Sequence, residues 1–156
     1  MAKEYLTKNA NQTKKLGETL AKKILKTRPG KGAFIIGLEG ELGGGKTVFL
    51  QGLAKGLGIK EEILSPSFII MQRFRIPTNS PKFVDFYHID CYRIQRPKEI
   101  LELGFKKIIS HPQNIVAVEW AERIKKILPK KNVFILKFEF INRNRRKIVL
   151  ELINGR

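Results

Sequence analysis

The sequence is poor in residues that would staple a fold or anchor it in a membrane. It has one cysteine, Cys91, so an internal disulfide is excluded. Cys91, His88 and His111 do not match the spacing of a known set of metal ligands. No apolar run approaches the ~18 residues of a membrane helix, and residues 1–9 lack the apolar core of a signal peptide. We therefore expect a soluble protein of the cytoplasm with no membrane contact.

Acidic residues are also few, since 14 Asp and Glu stand against 31 Lys and Arg, a net charge of +17. The excess lies at the two ends: residues 1–30 carry eight basic and two acidic residues, and residues 121–156 carry eleven and three. Basic segments of this kind bind nucleic acid or an acidic partner, or they coat a solvated surface. For residues 1–30 the dispersed lysines favour a solvated surface, whereas for Arg143–Lys147 both interpretations stay open.

What the sequence does contain is the stretch Gly40–Thr47, with the spacing G-x-x-x-x-G-K-[ST] of a P-loop. Its glycines let consecutive backbone N–H groups turn inward around a phosphate, Lys46 adds a cation, and Thr47 offers a hydroxyl to Mg²⁺. A buried strand over residues 34–38 precedes the loop and a helix over residues 47–57 follows it, as the motif requires. The chain is therefore predicted to bind a nucleotide through its β- and γ-phosphates.

Other segments place polar groups near the ends of apolar strands. Ile115–Glu119 is an apolar run closed by a carboxylate, and a buried parallel strand of this type delivers an acid that holds Mg²⁺ beside a P-loop. His88–Arg93 lies beyond another apolar strand, where open α/β sheets place their sites, although a turn with satisfied hydrogen bonds has the same pattern. The hydroxyl-rich loop Ser65–Ser67 is a weaker candidate for sensing the γ-phosphate. Trp120 is interpreted as a core residue.

The wider pattern predicts one domain, residues 1–156, with an α/β fold. We expect a P-loop NTPase-like sheet with a parallel centre and antiparallel hairpin strands, flanked by helices. Besides the elements around the P-loop, helices are predicted over residues 11–27, 97–103 and 121–128, and strands over 68–76, 83–88, 133–141 and 147–153. Turns over residues 77–81 and 142–146 join the two strand pairs.

Taken together, the motifs resemble the TsaE (YjeE) family, bacterial ATPases needed to make threonylcarbamoyladenosine in tRNA. The resemblance covers nearly the whole chain and rests on Thr13–Ala21, Gly40–Thr47, Ser65–Phe68, His88–Arg93 and Val118–Glu122. The family usually has Asp, Ala and Thr where this chain has Glu41, Gly44 and Ser67. These changes keep the charge, the small size and the hydroxyl.

The resemblance implies that the chain binds ATP or ADP with Mg²⁺, hydrolyses ATP, and acts with the TsaB and TsaD proteins. The basic ends then become candidates for contact with tRNA. It also implies catalytic roles for Lys46, Asp90 and Glu119 and metal contacts from Thr47 and Glu119, while the division of work between Asp90 and Glu119 stays open. The family holds adenine between the start of the first helix and the C-terminal hairpin. The expected nucleotide-binding residues are Asn9, Glu41, Leu42, Gly43, Gly44, Gly45, Lys46, Thr47, Val48 and Arg145.

Other functions remain open on the residues alone. A small-molecule kinase also uses a P-loop and mobile arginines such as Arg73, Arg75 or Arg143, but no segment supplies an obvious acceptor pocket. An RNA-binding module with a structural nucleotide is favoured only by the net charge. A regulatory GTPase is disfavoured because no Asn-Lys-x-Asp segment is present to bind guanine.

Overall fold

The computed structural model describes residues 2–40, 45–63, 69–77 and 82–154. P-loop residues 41–44, the hydroxyl-rich loop at 65–67 and turn residues 78–81 lie outside these ranges, so the structure does not address what was expected of them. The strands are β1 (Ala2–Thr7), β2 (Phe34–Gly40), β3 (Met71–Arg75), β4 (Asp85–Asp90), β5 (Asn114–Glu119), β6 (Lys131–Phe140) and β7 (Arg146–Asn154). The helices are α1 (Ala10–Leu25), α2 (Lys46–Gly56), α3 (Pro97–Leu101) and α4 (Phe105–Ser110), and a 3₁₀ helix covers Ala121–Ile124.

The strands that the structure describes form one sheet in the order β1-β7-β6-β2-β5-β4-β3. The central strands β6, β2, β5 and β4 are parallel, while β3 at one edge and β7 and β1 at the other are antiparallel to their neighbours. This confirms the predicted α/β fold with a parallel centre, antiparallel outer strands and flanking helices. The four parallel strands all end on one side of the sheet, which we call its carboxyl edge. They begin on the opposite side, which we call its amino edge.

Two hydrophobic cores lie on opposite faces of this sheet. One packs α1 and α2 against it, through side chains that include Ile24, Phe49, Leu53, Ile36 and Leu136. The other packs α3, α4 and the 3₁₀ helix against the opposite face, through Ile100, Phe105, Ile124, Val116 and Ile135. Strands β2 and β5 are covered on both faces, and this explains why their sequences are nearly continuous apolar runs.

Helices α1 and α2 pack closely and run in the same direction. A Cβ on Gly17 would lie 2.2 Å from the carbonyl oxygen of Phe49, and a Cβ on Gly52 would lie 1.9 Å from that of Lys14. Both helices therefore begin at the carboxyl edge. Asn9 caps α1, since its side chain accepts a hydrogen bond of 2.9 Å from the backbone N–H of Gln12. No helix in the described ranges is long and apolar enough to cross a membrane.

Several predicted elements differ from those observed. Strand β1 was not predicted, because its alternation is short and polar and it forms only by pairing with β7 at the edge of the sheet. The predicted helix 97–103 ends at Leu101, and α4 follows it as a second, unpredicted helix. The predicted helix 121–128 is a 3₁₀ helix over Ala121–Ile124, packed so tightly on β2 that a Cβ on Gly37 would lie 2.8 Å from the Cβ of Ala121.

Candidate functional site

The beginning of α2 lies at the carboxyl edge, just beyond the end of β2. Gly45 precedes the helix with φ of 96°, a left-handed conformation that a residue with a Cβ adopts only with strain. Within the described residues no side chain caps this helix, and its first turn contains no acidic residue. The free backbone N–H groups and the positive end of the helix dipole therefore favour an anion here. The other predicted loop contacts, at Glu41, Leu42, Gly43 and Gly44, lie outside the described residues.

Lys46 is a lysine held out of solvent, with 5% of its surface exposed. Its ammonium donates a hydrogen bond to the carbonyl oxygen of Gly40 and lies 3.8 Å from the centroid of the Trp120 ring. Burial lowers the pKa of Lys46, and the negative charges of nearby carboxylates, Glu119 foremost, oppose that shift. The side chain thus rests on a carbonyl and an indole face in a position where a phosphate would bind it more strongly.

Two buried carboxylates stand side by side next to this lysine. Asp90 ends β4 and Glu119 ends β5, and the two residues are paired in the parallel register of these strands. Burial and the neighbouring charge of Glu119 raise the pKa of Asp90 to about 6. The backbone N–H of Tyr92 donates to Asp90 Oδ1 at 2.8 Å, and His88 Nε2 lies 2.7 Å from Glu119 Oε2. A pair of crowded carboxylates is the donor chemistry that suits a hard divalent cation such as Mg²⁺.

Trp120 immediately follows the Glu119 carboxylate and has an unusual backbone. Its φ is 57°, which is a genuine outlier for so bulky a residue. The Trp120 ring packs against the second core, which agrees with its interpretation as a core residue. It also covers Lys46. The Tyr92 ring centroid lies 5.4 Å away and the guanidinium carbon of Arg123 lies 5.1 Å above the indole. Arg123 also donates to the carbonyl of Tyr92, so two aromatic rings and one guanidinium flank the carboxylates.

On its other side the α2 terminus meets α1 and the turn between β6 and β7. A Cβ built on Gly45 would lie 3.5 Å from Arg146 Cγ and 3.5 Å from Thr13 Cγ2. The Nε of Arg146 is buried without a hydrogen-bond partner among the described residues. Thr13 lies one turn of α1 beyond Asn9, to whose carbonyl its backbone N–H donates at 3.2 Å. The two regions between which adenine was expected therefore do converge beside the loop.

The predicted site residues fall into two sets. The structure brings Gly45, Lys46, Asp90 and Glu119 together, with Thr47 exposed and Val48 half-buried in the first turn of α2. Asn9 and Arg145 are both exposed; the Asn9 side chain is engaged in capping α1, and the backbone N–H of Arg145 donates to Asn142 Oδ1 at 2.9 Å. Among the described residues, the carboxylate pair, the α2 terminus that no side chain caps and the buried Arg146 Nε without a hydrogen-bond partner all fit a magnesium nucleotide.

Two residues beside this site were not among the predicted ones. His88 holds Glu119, and its position two residues before Asp90 could have indicated it, because residues i and i+2 of a strand share a face. Arg146 lies close to Gly45, and the only sequence signal that indicated it was the density of basic residues at 143–147. Sequence spacing does not distinguish Arg146 from Arg145, since the choice depends on how the turn folds back on α1.

Comparisons with known proteins agree with this geometry. The family model described as Threonylcarbamoyl adenosine biosynthesis protein TsaE matches residues 7–148. A TsaE protein of Nostoc sp. is 41% identical over 115 residues, which cover 70% of this chain and 59% of that protein. One of Rickettsia felis is 36% identical over 121 residues, covering 77% of this chain and 63% of that protein. Matched segments thus span about three-fifths of these two relatives.

A sequence and a crystal structure from Bacillus subtilis extend the likeness. Its tRNA threonylcarbamoyladenosine biosynthesis protein TsaE is 33% identical over 133 residues, which cover 85% of this chain and 75% of that protein. The crystal structure of YdiB superposes with a TM-score of 0.72 at 26% identity and covers 99% of this chain and 87% of that one. Since the family match includes every element that builds the carboxyl edge, from α1 to the start of β7, this chain belongs to the TsaE family.

Proposed function

We propose that this chain is a Mg²⁺-dependent ATPase required for the threonylcarbamoyladenosine modification of tRNA, acting with the TsaB and TsaD proteins. The observation that carries the proposal is the convergence of Lys46, Asp90 and Glu119 beside the uncapped beginning of α2. The names of the related proteins support the place in tRNA modification. With this function the protein works in the cytoplasm, and residues 1–156 act as one domain.

Nucleotide binding begins with anion capture at the start of α2. The backbone N–H groups after Gly45 and the ammonium of Lys46 bind the β- and γ-phosphates, and the Thr47 hydroxyl supplies an oxygen for the metal. Mg²⁺, when bound, neutralises charge that develops on the phosphate oxygens. Arg146 of the C-terminal hairpin adds a second cation beside Gly45, since its Nε lies 3.8 Å from a Cβ built there and has no hydrogen-bond partner among the described residues. The other side of its guanidinium is held by the turn, where one terminal nitrogen donates to the carbonyls of Asn142 and Arg145.

The two carboxylates, Glu119 and Asp90, have different roles in hydrolysis. Glu119 is fixed by His88 and holds the metal or its waters, so its oxygens keep one orientation. Asp90 keeps one oxygen on the N–H of Tyr92 and offers the other to the attacking water. The raised pKa of Asp90 lets it accept a proton from that water more readily than an exposed aspartate does.

Lys46 gives a physical reason for slow turnover by the isolated chain. Its ammonium is engaged by the Gly40 carbonyl and the Trp120 ring, so a phosphate must displace these contacts before the lysine binds it. Arg93 is exposed at the same edge and is the candidate for an arginine that reaches the γ-phosphate when a partner orders it. We therefore expect the TsaB and TsaD proteins to accelerate hydrolysis, by up to ~10³-fold or more if an arginine finger is completed.

Phosphate release tests this function directly. It is measured with ATP and with GTP, for the chain alone and with the TsaB and TsaD proteins, and for Lys46→Ala in each mixture. We expect slow, Mg²⁺-dependent release with ATP, acceleration by the partner pair, and loss of both in the variant. If the chain alone turns over as fast as the mixture, partner control is wrong. If release depends on an added small-molecule acceptor, a kinase is the better assignment.

A further inference from the structure

The amino edge of the sheet carries a cavity that none of the proposed ATPase residues line. Its volume is about 280 Å³, near the lower end of the range for small-ligand sites. It lies where β2 and β6 begin, against the connection from α1 to β2. Its principal lining residues are Arg28, Lys31, Lys131, Asn132, Phe34 and Phe134. Because β2 has seven residues, the cavity lies about 20 Å from the P-loop.

The charge around this cavity has one sign. Residues 19–36, which lead into β2, contain five Lys and Arg and no Asp or Glu. Residues 124–136, which lead into β6, contain four and none. The parallel pairing of β2 with β6 brings these two distant stretches to the same place, and none of the residues that line the cavity is acidic. Exposed Arg28, Lys31 and Lys131 thus form a cationic rim.

The wall of the cavity is aromatic. Phe34 and Phe134 are half-buried and stack with ring centroids 4.9 Å apart and planes within 7°. Asn132, two residues before Phe134, also lines the cavity and offers an amide there. It adopts φ of 61° at an irregularity in the β6–β7 register. Cations at a rim, aromatic rings in a wall and an amide capable of pairing with a base edge are the combination by which proteins bind unpaired nucleotides.

We propose that this amino-edge cavity binds an unpaired nucleotide of RNA, with Arg28, Lys31 and Lys131 holding the flanking phosphates. The choice of RNA rests on the proposed function in tRNA modification, while the site itself rests on the cavity, its rim and its wall. Since the cavity and the P-loop lie at opposite edges of the sheet, RNA and ATP bind at the same time.

Fluorescence anisotropy tests the site on the full chain. The probes are a labelled single-stranded RNA of about twelve nucleotides, the same strand annealed to its complement, and a labelled tRNA, each from about 50 to 200 mM salt. The rim variant is Arg28→Gln with Lys31→Gln and Lys131→Gln. The control variant is Lys8→Gln with Lys15→Gln and Lys60→Gln, which removes the same charge from exposed positions elsewhere. Circular dichroism melts confirm that both variants are folded.

The rim variant should bind single-stranded RNA and tRNA at least ~10-fold more weakly at low salt. Its salt slope should flatten by about 2, because each lost phosphate contact contributes ~0.7 on a single strand. The control variant should change far less, and the duplex should bind more weakly than the single strand. Equal losses in the two variants would show diffuse charge attraction and overturn the site. Loss of binding only on replacing Arg143, Arg145 and Lys147 by Ser would place the RNA at the carboxyl edge instead.

ATP turnover, measured on the same samples, separates this proposal from the ATPase proposal. The rim variant should hydrolyse ATP at the wild-type rate, with and without the TsaB and TsaD proteins, because its three substitutions lie at the other edge. A wild type that binds RNA through the rim but never hydrolyses ATP would overturn the ATPase function alone. A wild type that hydrolyses ATP but binds RNA no better than the rim variant would overturn the RNA site alone.

Discussion

The two edges of the central sheet differ in how they handle charge. At the carboxyl edge, Lys46, Asp90 and Glu119 are charged groups that are less than a tenth exposed. At the amino edge, Arg28, Lys31 and Lys131 are exposed. Burial is costly for each group at the first edge and nearly free of cost at the second. A fold tolerates such a cost where the groups act on a ligand, which agrees with the ATPase site proposed at the carboxyl edge.

Backbone conformation also differs between the edges. Among the described residues other than glycine, positive φ occurs at Trp120, which lies at the carboxyl edge beside Lys46, and at Asn132. Gly40 and Gly45 at the carboxyl edge, and Gly58 and Gly104 elsewhere, adopt positive φ without strain. The amino edge has Asn132 with positive φ, and asparagine is among the residues that tolerate this conformation best. The one bulky residue with a strained backbone, Trp120, therefore lies beside the proposed ATP site, whereas Asn132 at the proposed RNA site adopts its conformation at little cost.

Replacement of Lys46 should give the largest difference between the edges. Lys46→Ala removes the buried cation beside the P-loop, so ATP binding and hydrolysis should fall at least ~100-fold. The matched control is Lys55→Ala at the far end of the same helix, where the side chain is 67% exposed and pairs with Glu18 at 3.1 Å. Calorimetric titration with ATP and phosphate release should detect no more than a twofold change in the control. Equal losses in both variants would mean that helix charge, not the Lys46 contact, binds the nucleotide.

The features of the carboxyl edge that could be predicted from the sequence are those set by residues adjacent in the chain. The strand before the P-loop, the glycine turn and the following helix are specified by adjacent residues, so β2 and α2 were predicted to within a few residues. Glu119 was predicted to end a strand, and Asp90 was predicted to lie just beyond the end of another, which in the structure extends to Asp90 itself. Their pairing depends on β4 and β5 being neighbours, and spacing along the chain does not encode which strands are adjacent.

Features that arise only from tertiary contacts were not predicted. Strand β1 is polar and short, and it is a strand because β7 pairs with it and Lys147 lies 3.3 Å from Glu4. The contact of Lys46 with Trp120 joins the start of α2 to the end of β5, which no local pattern relates. The amino-edge cavity likewise needs Arg28 and Lys131 to meet across the parallel β2–β6 pair. Dispersed lysines in a sequence do not show which of them will converge.

Glycine replacements should show the backbone difference between the edges. Gly40 has φ of 134°, and a Cβ there would lie 2.4 Å from the carbonyl oxygen of Phe138. Gly40→Ala should therefore lower the free energy of unfolding by about 2–3 kcal/mol. Gly30, in the connection beside the amino-edge cavity, has nothing within 4 Å of a built Cβ, so Gly30→Ala should be neutral or stabilise by up to about 1 kcal/mol. Urea denaturation without nucleotide measures both, and similar losses would contradict this difference between the edges.

Asp90→Asn should reveal the cost of the buried carboxylate pair. The pKa of Asp90 is raised from 3.8 to about 6, so the charged form destabilises the fold, and this penalty grows as the pH rises through that interval. Asparagine stays neutral and still accepts from the Tyr92 N–H. Above about pH 6 the free energy of unfolding of the variant should exceed that of the wild type by about 1–3 kcal/mol, and this difference should vanish near pH 4.

The same variant should hydrolyse ATP at least ~10-fold more slowly, while binding ATP almost normally. Thermal melts across the pH range, without metal or nucleotide, are compared with phosphate release. A variant that is less stable at pH 8 would show that Asp90 serves a satisfied turn rather than a site. His88→Gln is a useful companion, since it changes the support of Glu119 and leaves Asp90 in place.

The smallest effects should come from Asn132, the amino-edge residue with positive φ. Its φ of 61° suits glycine without cost, so Asn132→Gly should change the free energy of unfolding by less than about 0.5 kcal/mol. Asn132→Ala keeps a Cβ but has no polar group to support the left-handed conformation, and it should lose about 1 kcal/mol. Both variants remove the amide from the cavity, so both should weaken RNA binding by the ~5-fold that one lost hydrogen bond produces. Urea denaturation and anisotropy separate the two roles, because only the backbone effect differs between the variants. If glycine destabilises the protein as much as alanine does, the Asn132 amide is structural, and the cavity binds RNA through its cations and rings alone.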